Sequence, residues 1–163
     1  MTTYVSRPIT RVVLKELRSA DDAGRRMVPV TDEEGGAPLR CCLRRSERGE
    51  VIALVSYAPL RRWAAETGAD PGAYDEQGPV FIHAEECGGP AGQGYAFTGA
   101  RRTVRRYSAH GHILGGRLVE VESATGAAAF DQAFEEAFAD PDVAVVHVRA
   151  VEYGCFLYEV GRG

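Results

Sequence analysis

Lysine is almost missing from this chain. Lys15 stands alone against eighteen arginines, and the 163 residues hold only two methionines and one tryptophan. No apolar run approaches the length of a membrane-spanning helix, and nothing near Met1 resembles the apolar core of a secretory signal. A cytoplasmic protein with no membrane contact is therefore expected. In that compartment Cys41, Cys42, Cys87 and Cys155 are expected as reduced thiols rather than disulfides. No CxxC spacing occurs, which excludes a zinc ribbon or a thioredoxin-type motif. GxGxxG, P-loop, GxSxG and HExxH patterns are also absent, so no cofactor is implied and no nucleotide can be named.

What is present suits a globular domain. With 45% apolar and 26% charged residues, a chain of this length can bury a core without metal or disulfide staples. The arginine bias needs no function to explain it, since a high-G+C coding sequence produces the same excess. The net charge of −4 argues against general nucleic-acid binding, which requires a basic face. The stretch RRTVRRY at 101–107 places arginines on both faces of a strand, a pattern of guarded edge strands more than of phosphate tracking.

Along the chain, residues 1–8 read as a loose end and TRVVLKEL at 10–17 as a strand. Residues 39–43 and Val51–Tyr57 read as strands joined in a hairpin through RRSERGE. Pro59 opens a short helix that stops at Gly68. A buried strand follows the Gly78-Pro79 break, and GGPAGQG at 88–94 reads as a flexible internal loop. Residues 103–108 and 113–121 form a strand pair around HGH. In 126–139 the positions Ala127, Phe130, Phe134 and Phe138 recur at near-helical spacing. Residues 143–151 and 155–160 close the chain as a hairpin. Without a βαβ series, a Rossmann or TIM fold is disfavoured. The expected architecture is a single α+β domain, with a curved, mostly antiparallel sheet and one main packed helix at 126–139.

Four blocks, APLRCCLRRSERGEVIALVSYAPL, GPVFIHAEEC, RRYSAHGHI and VHVRAVEYGCFLYEV, together resemble the bacterial family catalogued as domain of unknown function 1203. The resemblance spans roughly residues 38–160. It implies recurrent positions at Arg40 after Pro38, at Gly78, Pro79, Phe81 and His83, at Arg105, Arg106 and Tyr107, and at His147, Arg149, Gly154 and Cys155. The family's common Pro-Cys-Arg is Pro38-Leu39-Arg40 here, so a cysteine at position 39 is dispensable. No activity comes with the resemblance.

The candidate chemistry lies where ionisable groups interrupt strands. Alternation puts Val143, Val145, His147 and Arg149 on one face of the last hairpin, and the small apolar residues between them on the other, under the helix. A three-residue loop with Gly154 left-handed pairs Val151 with Cys155, Arg149 with Leu157 and His147 with Glu159. That register keeps Cys155 out of reach of His147 and argues against a Cys–His nucleophilic pair. The preferred reading is a pocket for a small anionic molecule. His83 and His147 would supply acid–base chemistry, and Arg40, Arg106, Tyr107, Arg149 and Cys155 would bind the ligand. The bland alternative pairs the arginines internally with Glu120, Glu122 or Glu159. Two rival functions remain: a non-catalytic interaction module, with a homodimer compatible, and a transition-metal (zinc) site. For a metal, His83 and Cys87 have helix-type ligand spacing but leave a strand end, and His110 and His112 lie too far apart on a strand. Convergence of His83, His147 and Cys155 is the remaining route. Adjacent Cys41 and Cys42, read as strand residues, would point apart. No metal ligands are assigned at this stage.

Overall fold

The computed structural model describes residues 4–92, 94–120 and 126–162. Within them, strands β1 (Ser6–Arg7), β5 (Arg102–Ser108), β6 (Ile113–Val119), β7 (Val143–Ala150) and β8 (Phe156–Gly161) form a sheet in the order β1-β8-β7-β5-β6. Strands β2 (Val30–Thr31), β3 (Val51–Tyr57) and β4 (Gly78–His83) form a second sheet. Every pairing between these strands is antiparallel. Helices α1 (Arg11–Leu17), α2 (Pro59–Thr67) and α3 (Gly126–Ala139) complete an α+β fold.

Helix α3 follows its phenylalanine stripe. Phe130, Phe134 and Phe138 are buried against Val104, Val146, Val148, Tyr158 and Val160 of the large sheet. The other face of that sheet is covered by α2, where Leu60 packs on Tyr107 and Val145. The second core joins α1 to the small sheet and includes Phe156 of β8. Two apolar cores therefore share the large sheet, one on either side.

Two sequence expectations are overturned. Residues 10–17 are not a strand. The Thr10 hydroxyl accepts the Val13 N–H and caps α1, and Val13, Leu14 and Leu17 are buried. Spacing of one and four residues suits a helix face, and docking on the second core selects it over the β propensity of two valines. Residues 39–43 are also not a strand, and their hairpin with β3 does not form. The partners of β3 are β2 and β4. Leu39 makes one isolated parallel bridge to Phe81, after which the chain turns, with Leu43 at φ 56°.

Residues 4–7 are held more firmly than expected. Ser6 and Arg7 pair with Val160 and Glu159, and Tyr4 stacks on Phe138 with ring centroids 5.2 Å apart. The last hairpin keeps the expected His147–Glu159 pair, but a bulge pairs Arg149 with Phe156 instead of Leu157. An extra residue on one strand shifts every later side chain by one. Phe156 thereby joins the His147 face, and Leu157 joins the core beneath α3.

Candidate metal centre

The turn at 39–43 and the end of β4 meet. The Arg40 N–H donates to the Phe81 carbonyl at 2.9 Å, and the Leu43 N–H donates to the Leu39 carbonyl at 2.9 Å. These bonds curl the backbone so that Cys41 and Cys42 do not diverge. Their Sγ atoms are 3.9 Å apart, at 3.3 and 3.8 Å from His83 Nδ1. Cys87, in the loop after β4, completes the group, and its four ligand atoms all lie within 4.8 Å of one another. Cys41, Cys42 and His83 are buried and Cys87 is half-buried.

The surroundings orient the imidazole. His83 Nε2 is 2.7 Å from Glu50 Oε2, just before β3. Arg44 grips the same carboxylate with two bonds of 2.8 Å. Arg44 holds the Glu50 carboxyl well below the usual carboxylate range, with the Glu47 N–H and His83 assisting. An ionised carboxylate only accepts, so Nε2 carries the proton and the lone pair of Nδ1 faces the thiols. The Cys42 thiol is pulled down to about 6, first by the hydrogen bond from Cys41, with the Arg44 N–H and the Arg44 charge adding to it against burial. Cys41 is pushed up by that same bond and by burial. The backbone N–H of His83 also donates to Cys41 Sγ at 3.3 Å. The pair shares a single proton, which a bound cation would displace.

The residues selected for an anion pocket do not share one cavity. His83 belongs to the thiol cluster. His147 is fully buried between Tyr107 and Phe156, at centroid distances of 4.8 and 5.1 Å. Neither of its ring nitrogens has a hydrogen-bond partner, and Glu159 Oε1 stands 3.7 Å from Nε2. Tyr107 is buried beside it. Arg149 donates to the Gly154 carbonyl at 2.9 Å and lies 3.5 Å from Glu76. Arg106 points to the α3 face and lies across Gly115, where a Cβ would run into its guanidinium. Arg149 and Cys155 line a cavity of about 200 Å³, while Arg40 and Cys155 line one of about 810 Å³. Of the proposed internal partners, Glu120 lies 3.8 Å from Arg101 and Glu159 lies 3.8 Å from Arg7. Glu122 falls outside the described residues. His110 and His112 pack near each other, away from the thiols.

The sequence reading missed Cys41, Cys42, Glu50 and Arg44. The one available signal was the short reach of the supposed strand, five residues between Pro38 and a charged run. His83 and Cys87 were noticed together, but without the thiol pair their spacing carried little.

His147 has a measurable consequence. Burial pushes its pKa below the ordinary 6.5, opposed by Glu159 and reinforced by Arg149 and Arg105. The unfolded chain then binds a proton that the folded chain refuses. Stability from this residue is full above pH 6.5 and falls as the pH drops, by up to about 1.4 kcal/mol per pH unit, until the folded imidazole itself protonates. In urea unfolding between pH 7.5 and 5.5, His147→Leu should lose this part of the slope. Equal slopes in the two proteins would assign the acid sensitivity elsewhere.

Fold and cluster together define an α+β protein with a Cys3His group that could hold a metal ion. The chain belongs to the family described as Protein of unknown function (DUF1203), whose match covers residues 36–162 and so includes the whole cluster. No curated protein and no solved structure matches the chain. Among the described residues, no helix is long and apolar enough to cross a membrane.

Proposed function

We propose that Cys41, Cys42, His83 and Cys87 bind one thiophilic divalent cation, zinc by class, and that the ion fastens the 39–43 turn to the end of β4. The observation that carries this reading is the spacing of the donors. Ligands at ordinary zinc–sulfur and zinc–nitrogen bond lengths in a tetrahedron stand about 3.8 Å apart for two sulfurs and about 3.5 Å for sulfur and nitrogen. The separations of 3.9, 3.8 and 3.3 Å among Cys41, Cys42 and His83 fit within a few tenths of an ångström, and Cys87 lies within 4.8 Å of these donors. The Glu50–His83 bond supports it independently, because a metal-bound histidine regularly donates its far N–H to a carboxylate. Four protein donors fill a tetrahedron and leave no position for substrate, so the ion has a structural or regulatory part rather than a hydrolytic one.

Elemental analysis of untagged, gel-filtered protein is the test. The expected result is about one zinc per chain. Cobalt(II) added to the stripped protein should develop the visible absorption of a tetrahedral thiolate complex. Glu50→Gln should weaken metal binding by about 10- to 100-fold, since it leaves the four donors in place and loosens only the orientation of His83. Protein that retains no metal and gives no cobalt spectrum would rule the site out.

A further inference from the structure

The cavity of about 810 Å³ lies apart from the thiol cluster, between the 34–38 loop, the outer face of β3 and β4, and the ends of β7 and β8. Arg40, Arg45 and Arg102 all line it. Arg40 and Arg102 are only 2% and 3% exposed. Arg40 donates to the carbonyls of Phe156 and Pro38, at 2.7 and 2.5 Å. Among the described residues no carboxylate pairs with Arg40 or Arg45, and Arg102 has Glu152 at 3.6 Å. Burial pulls Arg40 down to about 10, and Arg102 and Arg45 repel it further while the nearby Cys155 thiol opposes them. Two buried guanidinium groups and an exposed third, with one carboxylate nearby, favour an anion.

The acidic residues of the cavity do not supply that charge. Asp32 is occupied by the N–H groups of Glu34 and Gly35 and by the Ser46 hydroxyl. Glu34 is exposed. Among the described residues Glu152 is the one carboxylate beside Arg102, whose Nε and Nη1 also donate to the Phe97 and Arg101 carbonyls. The remaining wall is apolar and open: Leu54 is 55% exposed, Tyr153 is 90% exposed, and Phe81 lies beside Leu54 across β3 and β4. The volume suits a small organic molecule.

We infer that this cleft binds a small organic oxyanion, its phosphate or carboxylate head on Arg40, Arg45 and Arg102 and its apolar body against Leu54, Phe81 and Tyr153. The site is independent of the metal reading and uses only one of the arginines selected from sequence. Cys155, half-buried in the same lining, is a reporter of occupancy rather than a reacting group.

The test is calorimetric titration of the whole protein with phenyl phosphate, benzoate, inorganic phosphate and phenol. Phenyl phosphate or benzoate should bind at least about tenfold more tightly than inorganic phosphate or phenol, and the better of the two identifies the head group. Arg45→Glu, at an exposed position, should weaken that binding by about tenfold or more, the scale of one charge-assisted contact. Tyr153→Ser should narrow the preference over inorganic phosphate. The bound anion should also slow alkylation of Cys155 by iodoacetamide, read on the Cys155 peptide by mass spectrometry. Absence of binding by both phenyl phosphate and benzoate overturns the inference, as does binding that is unchanged in Arg45→Glu and leaves Cys155 unprotected.

Discussion

Removing the metal with a chelator should lower the melting temperature by about 8–16 °C. A ligand present at a thousand times its dissociation constant stabilises the folded state by about 4 kcal/mol, and a chain of this size shifts by about 2–4 °C per kcal/mol. The four donors come from two segments distant in sequence, the turn at Cys41 and Cys42 and the β4 end at His83 and Cys87. An ion bound to both holds them together in the folded state alone. His83→Ala should melt near the temperature of the stripped protein and stay there when zinc is added. The stripped chain should still unfold cooperatively, since both apolar cores exist without the ion. Identical melting temperatures with and without metal would remove the fastening role even if an ion binds.

Phe134→Ala should cost about 3–5 kcal/mol, seen as a lowered urea midpoint and a drop of about 6–20 °C in melting temperature. Phe134 is fully buried and packs edge-on to Tyr95, with ring centroids 5.0 Å apart, and touches Phe130 at 5.9 Å. Truncation leaves a cavity that a helix pinned on a sheet cannot collapse to fill. Metal content should not change, because the thiol cluster belongs to the other core. A loss below about 1 kcal/mol would mean that α3 contributes little to holding the large sheet.

The two results separate the halves of the molecule, and the sequence was readable in them to different degrees. Helix α3 and strands β5 to β8 were placed within about two residues, because periodicity and turn residues act locally. The expected His147–Glu159 pair is present, but the closing turn is not the three-residue loop read around Gly154, and the bulge after Val148 restores the register. In the other half, Thr10 was a capping residue that a run of valines concealed. The pair Cys41-Cys42 was read by strand alternation in a segment that turns. There a local rule met a long-range contact, the Arg40 N–H on the Phe81 carbonyl, and the contact prevailed.

The candidate site divides in the same way. His83 stood out in the sequence as an ionisable group ending a strand, and it lies at the centre of the thiol cluster. His147 stood out for the same reason, yet it is sealed between Tyr107 and Phe156. The residue type signals that a partner is needed, and it does not say whether that partner is a ligand, a metal or a neighbouring ring. Arg40 shows the same ambiguity: its place beside a strand was legible, while the company of Arg45 and Arg102 was not.

By itself the sequence determined the α+β class, α2, α3, most of the strands and the β5–β6 and β7–β8 hairpins, all set by side-chain period and by glycine and proline over a few residues. Only the tertiary structure decided the sheet orders β1-β8-β7-β5-β6 and β2-β3-β4, the bulge that turned Phe156 inward, and the meeting of two adjacent thiols with a histidine some forty residues away. Those outcomes depend on which distant surfaces bury each other best, and that free energy belongs to the assembled chain and to no segment of it.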